Sequence, residues 1–170
     1  EIPTEGNTSR LLALYKDIEE DLVLGTIRSA RHNFVDYALE SDAILCCFGW
    51  SHYAEDDMKE GSIEYLQGLY GEPFYRNNPE NLVLEHTAYT SISRLNKAVQ
   101  SKKIRSTSNE SSLLNYNVTD EDLSLAQDSK VANTVTIPYG YSPQIASFKY
   151  NEESKMYTRY EDNNKCVDYK

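Results

Sequence analysis

The spacing of apolar and polar residues changes period several times along this chain. From Ser29 onward, Ala30, Phe34, Tyr37, Ala38 and Leu39 fall at helical spacing with Asp36 and Glu40 between them, which predicts an amphipathic helix. Ala43 to Phe48 is a continuous apolar run of strand length, closed by Gly49. Tyr53 to Lys59 predicts a short acidic helix. Upstream, Ser9 to Tyr15 reads as a buried strand followed by the acidic turn KDIEED, and Leu22 to Leu24 as a short strand ending at Gly25. The first half thus alternates strand and helix, the order of an α/β layer.

Gly61 to Pro79 is rich in turn residues and aromatics and is read as an ordered irregular segment. Leu82 to Leu84 predicts a short strand. Thr90 or Ser91 is placed to cap a helix carrying Ile92, Leu95, Ala98 and Val99 on one face. STSNESS, from Ser106 to Ser112, reads as a linker or exposed loop. Beyond it, Ala132 to Pro138, Ile145 to Tyr150 and Met156 to Tyr160 are three strand candidates separated by turn signals at 139–143 and 151–154. The fold class expected is an α/β N-terminal domain, a strand–helix–strand layer, with a smaller antiparallel β-rich C-terminal domain. The expected boundaries are 1–104, an irregular linker at 105–130, and a truncated β domain at 131–170.

Composition narrows the partners. A net charge of −10 argues against nucleic acid, because phosphate binding needs a basic face. Hydrophobic content of 39 % is modest, and 14 tyrosines add half-buried surface to a small core. No apolar run is long enough to span a membrane as a helix. Cys46 and Cys47 are neighbours in a predicted strand and face opposite ways, Cys166 lies far off, and the three read as buried or idle thiols. His32, His52 and His86 form no zinc pattern, and the acidic stretches EEDL, EDD and DEDL read as solvated faces. Neither a metal nor a cofactor is expected.

In a chain this acidic, Arg28 and Arg31 stand out. If the helix begins near Ser29, they lie on one helical face beside its free N–H groups and the Ser29 hydroxyl, a geometry suited to a phosphate or carboxylate. Cations at a helix N-terminus are otherwise unfavourable by about 0.3–1 kcal/mol each. The compensating anion is either a ligand or one of the chain's own carboxylates. Gly49-Trp50-Ser51-His52 follows the apolar strand, at the end where α/β sheets collect ligands. Gly49 permits close approach, and Ser51 is placed to cap the next helix or to donate to a ligand.

EGNTSRLLALY at Glu5–Tyr15 and GTIRSARHNFVDYALESDAILCCFGWSHYAE at Gly25–Glu55 resemble the YerB-like lipoprotein family of Gram-positive bacteria, whose members carry a two-part domain of unknown function. The matching positions include Arg10, Gly25, Arg28, Ser29, Ala30, Arg31, Phe34, Asp42, Gly49 and Ser51. QGLYGEPFYR matches at Gly68, Leu69, Phe74 and Arg76, and LEHTAYTS at His86, Tyr89 and Thr90. VTIPYGYS, FKY, YTRY and CVD follow in the order of the family's second domain. The chain departs from the pattern with Thr26 for Pro, Trp50 for Gly and Glu85-His86-Thr87 for Pro-His-Asn.

The resemblance implies export and an extracellular, membrane-anchored location, with the lipid-bearing N-terminal Cys and the flanking strands absent from this chain. It implies no assigned activity. It adds Arg10, Arg76 and His86 to Arg28, Ser29, Arg31, Gly49 and Ser51 as a candidate ligand-binding set. Three readings stay open: a binder of an anionic envelope ligand, an envelope enzyme acting on a phosphoryl-linked substrate, and a structural or protein-interaction module whose arginines form internal salt bridges. Catalytic residues, and whether there is catalysis, are left open.

Overall fold

Short apolar runs cut off by Gly, Pro and Asx residues produce short strands and short helices here. The computed structural model describes residues 1–61, 63–69, 71–108, 127–139 and 145–166. In chain order the elements are β1 (Ile2–Thr4), β2 (Thr8–Arg10), β3 (Val23–Gly25), α1 (His32–Glu40), β4 (Leu45–Cys47), α2 (His52–Glu60), β5 (Tyr65–Gln67) and β6 (Tyr75–Arg76). Then come β7 (Ala88–Ser91), α3 (Ile92–Lys102), β8 (Thr134–Pro138), β9 (Ile145–Asn151), β10 (Met156–Glu161) and β11 (Asn164–Lys165). The chain is mixed α/β and divides into two compact units, Glu1–Leu12 with Asn115–Lys170, and Ala13–Leu114. The first twelve residues therefore group with the C-terminal strands, whereas the sequence reading kept 1–104 together.

In the Ala13–Leu114 unit, β4 and β5 pair in parallel, Leu45 with Tyr65 and Cys47 with Gln67. The extended segment before α1 joins β4 on its other side. The Phe48 N–H donates to the Arg28 carbonyl (3.0 Å), Ala30 N–H to Gly49 (2.9 Å), and Ser51 N–H to Ala30 (3.0 Å). Leu45 and Cys47 are buried on one face of β4, together with Phe34, Val35 and Ala38 of α1 and Ala54 and Met58 of α2. Cys46 points the other way, into a cluster of Leu66, Phe74, Phe48 and the α3 residues Leu95, Ala98 and Val99. A second sheet, ordered β3-β7-β6, is antiparallel throughout.

Helix ends follow their caps. Ser51 accepts from Ala54 N–H at the start of α2, and Ser91 from Arg94 N–H at the start of α3. Asp21 adds a second cap to α3 by accepting from Ser93 N–H (2.8 Å) and its hydroxyl (2.9 Å). α1 begins later than predicted, at His32, with Arg31 as an extended N-cap. Lys103 closes α3 in the left-handed conformation (φ 56°).

In the other unit, β1 and β2 form a hairpin, and β8, β9, β10 and β11 form an antiparallel meander in the order β11-β10-β9-β8. Tyr150 and Tyr157 face each other across β9 and β10 with ring centroids 5.3 Å apart. Asn151 turns the chain by accepting from the N–H groups of Glu153 and Ser154, both at 2.9 Å. Arg159 on β10 ties the hairpin to these strands with bonds to both Glu1 carboxylate oxygens (3.1 and 2.9 Å), one of which also accepts from Ser9 (2.6 Å).

Three further sequence expectations change. Ser9–Tyr15 is not a buried strand: only Thr8–Arg10 finds a partner, and Leu11 and Leu14 are 69 % and 65 % exposed. Leu82–Leu84 is not a strand; the chain there runs into a short 3-10 turn at Leu84–His86. Tyr65–Gln67, read as irregular, is a strand. The linker and turn readings at 109–126 and 140–143 lie outside the described residues.

Candidate functional site

Arg28 sits in the extended segment ahead of α1, so it and Arg31 do not share a helical face. Its guanidinium donates to the Glu85 carbonyl (2.9 Å) and to a Glu85 carboxylate oxygen (3.2 Å), and lies 3.3 Å from His86 Nδ1. The Arg28 side chain is 29 % exposed and that of Glu85 75 %. A pair so open to water contributes about 0–1 kcal/mol. Arg31 donates to the Ala30 carbonyl at 2.9 Å, with the Ser29 carbonyl at the 3.5 Å limit. α1 itself has no acidic residue in its first turn.

Arg76 reaches the same turn from β6. It donates to the Leu84 carbonyl and to the Thr87 hydroxyl (3.0 Å), and its guanidinium lies 4.5 Å from the centroid of the Phe48 ring. Thr87 is fully buried and passes its own proton to the Leu84 carbonyl (2.7 Å). Asn78 closes the near end of the loop, accepting from Leu82 N–H (2.6 Å) and donating to its carbonyl (2.9 Å). Arg28, Arg76 and Asn78 thus hold the 82–87 segment from three sides. Leu82, Val83 and Leu84 remain exposed on it, at 45 %, 65 % and 64 %.

The candidate residues therefore separate into groups. Arg28, Arg76 and His86 meet at the 84–87 turn. Ser29, Arg31, Gly49 and Ser51 stand at the junction of α1, β4 and α2. The Ser29 hydroxyl donates to the Phe48 carbonyl (3.1 Å), Gly49 has a positive φ of 85°, and Ser51 caps α2. Arg10 lies on β2 in the other unit. Sequence reasoning did not single out Glu85, Thr87, Asn78 or Phe48. Asn78 had a legible signal, since Asn-Pro four residues before a polar-flanked apolar triplet is a turn-forming arrangement.

Burial pushes the Cys46 thiol up to about 12, with a further push from Cys47, and burial takes the Cys47 thiol up to about 11. Burial thus favours the neutral thiol in both. His52 lies 3.5 Å from Asp56 on the exposed face of α2, and Ser51 is engaged as the cap of α2. Among the described residues, no group of His, Cys, Asp and Glu is placed to hold a metal ion. No described helix is long and apolar enough to cross a membrane.

A family model described as the N-terminal domain of a protein of unknown function, DUF3048, matches residues 1–105. The chain is 28 % identical over 162 residues to "Putative lipoprotein YerB" of Bacillus subtilis strain 168, covering 93 % of this chain and 46 % of the relative. The crystal structure of the Bacillus subtilis YerB protein matches with a TM-score of 0.77 at 25 % identity, over 96 % of this chain and 53 % of that one. The chain spans about half the length of these relatives.

Proposed function

The chain belongs to the DUF3048 family of proteins of unknown function, and from that premise we propose that it is an extracytoplasmic, lipoprotein-type module that binds a protein partner. The lipoprotein name of the relative supports the location, with membrane attachment through an N-terminal lipid anchor. One observation carries the binding role: Leu82, Val83 and Leu84 stay exposed on a loop that Arg28, Arg76 and Asn78 hold in place. Ordering a loop costs about 1–2 kcal/mol per residue in backbone entropy. Three side chains are engaged to order an apolar surface that is left in water, and such surfaces mark contacts. Glu85 at its edge and the net charge of −10 favour a partner with an apolar centre and a basic rim. In this reading the arginines act inside the fold.

A photo-crosslinking residue in place of Val83, in the exported protein in its native envelope, is the test. A discrete adduct of one protein, lost when Leu84→Asp is added, is the expected result. Adducts to lipid alone, or none, overturn it.

A second reading is favoured by the exposed Glu85 carboxylate, 3.2 Å from Arg28. Because that pair is weak, a multivalent anion can displace Glu85 and take its place between Arg28 and His86. Pyrophosphate should then raise the melting temperature, more in Glu85→Gln and not at all in Arg28→Ala. An unchanged melting temperature in all three chains removes this reading and leaves the arginines as a clamp.

A further inference from the structure

A cleft of about 330 Å³ opens between α2 and β5, lined by Trp50, Glu55, Met58, Lys59, Tyr65 and Gln67. It shares no lining residue with the cluster around Arg28, Arg76 and His86. Its construction follows from two periodicities. On β5, Tyr65 and Gln67 project to one face while Leu66, between them, is fully buried on the other. On α2, Glu55, Met58 and Lys59 are three and four residues apart and share a face. Trp50 enters from the isolated parallel bridge that it forms with Ala30, just beyond β4.

The polar groups are tied together. Glu55 accepts from the Lys59 ammonium (2.7 Å), and Lys59, with a smaller contribution from the neighbouring Trp50, keeps the Glu55 carboxyl below its ordinary value. The two charges cancel across that contact. The cleft is therefore lined by two aromatic side chains, a side-chain amide and a balanced ion pair, with no net charge among its lining residues. A phosphate or a metal ion finds no compensating charge there, and a wholly apolar ligand would strip water from Gln67 and the ion pair without replacing it.

We infer that this cleft binds a neutral, hydroxyl-rich ring of the hexopyranose class. The C–H face of such a ring packs on Trp50 or Tyr65, while its hydroxyls donate to Glu55 and accept from the Lys59 ammonium and the Gln67 side-chain NH2, whose amide oxygen already accepts from Leu69 N–H (2.7 Å). Ligand pockets run from about 300 to 1,000 Å³, so this cleft suits one or two sugar rings. It stands independently of the protein-contact loop.

Trp50 is the only tryptophan in the sequence, so its fluorescence reports on this cleft directly. Maltotriose and triacetylchitotriose are titrated separately into the full chain, with inorganic phosphate as the charged control. A saturable shift of Trp50 emission with either oligosaccharide, and none with phosphate, is expected. Gln67→Ala should weaken binding at least tenfold, and Tyr65→Phe, which keeps the ring, less than threefold. A chain that fails to respond to both sugars, responds equally to phosphate, or binds as well after Gln67→Ala overturns the inference. Gln67 is partly exposed and its side-chain oxygen accepts from Leu69 N–H (2.7 Å), so the Gln67→Ala chain is compared at a wild-type melting temperature, and weaker binding in a chain that melts unchanged is the expected result.

Discussion

Gly68→Ala is expected to destabilise the α/β unit even though it adds one methyl group. A Cβ built at Gly68 lies 2.3 Å from Phe48 Cδ2, 2.7 Å from Cε2, and 2.8 Å from Phe74 Cγ. Carbon atoms pack at about 3.5–4.0 Å, so the Phe48 ring must retreat by more than about 1 Å. It is held on two sides: Phe74 meets it edge-on at 6.1 Å and 87°, and the Arg76 guanidinium lies 4.5 Å from its centroid. Overpacking costs about 1–3 kcal/mol, and disturbing the cation–π contact adds about 0.5–1 kcal/mol. Loss of glycine's freedom in the unfolded chain returns about 0.4–1 kcal/mol. The net is about 2 kcal/mol, which in a unit near 100 residues lowers the melting temperature by roughly 8–16 °C. Thermal unfolding followed by the fluorescence of Trp50, which lies in this unit, is the assay. Phe48→Leu in the same chain should relieve the clash, so that the double variant is more stable than the two single effects added together. A Gly68→Ala chain melting within about 2 °C of the wild type, a margin below 1 kcal/mol for a unit of this size, would refute the argument.

Three other outcomes follow from caps and burial. Ser51→Ala should cost about 1 kcal/mol by removing the bond to Ala54 N–H, read as a lower denaturation midpoint with unchanged slope. The Asp21 carboxyl is held below its ordinary value by the Ser93 N–H and hydroxyl. Its contribution is therefore complete above about pH 4 and is lost as the pH falls through the folded value, so the melting gap between wild type and Asp21→Asn should narrow on acidification; a gap that widens contradicts the cap. With their thiols pushed up to about 12 and 11 by burial, Cys46 and Cys47 should resist thiol reagents at pH 8 until the chain unfolds, and rapid native labelling of either in a timed mass measurement would count against the packing of β4.

Much of the architecture was legible because it is local. The helical spacing of Phe34 and Ala38, the unbroken run at Ala43–Phe48, and the Ser51 and Ser91 caps each answer to a short-range rule, and β3, β8, β9 and β10 lie where apolar periodicity put them. The resemblance carried by Gly25–Glu55 likewise agrees with the family match over 1–105. What was misread depended on distant partners. Tyr65–Gln67 has one fully buried residue, and its strand exists because β4 pairs with it. Ser29 and Ala30 carry helical spacing, yet hydrogen bonds to Gly49 and Ser51 hold this segment extended and delay α1 to His32. That shift took Arg28 off the helical face expected to carry it with Arg31: Arg28 meets Glu85, and Arg31 donates to the Ala30 carbonyl at the N-cap.

The bond between Glu1 and Arg159 joins residues 158 positions apart. Closing so long a loop is an entropic burden that a compact intervening unit shortens. The expected order of assembly is that residues 13–114 condense before the strands of the split unit pair. Pulse-labelled hydrogen exchange should show Leu66 protected before Tyr160, and the reverse order would mean that the outer strands find each other unaided.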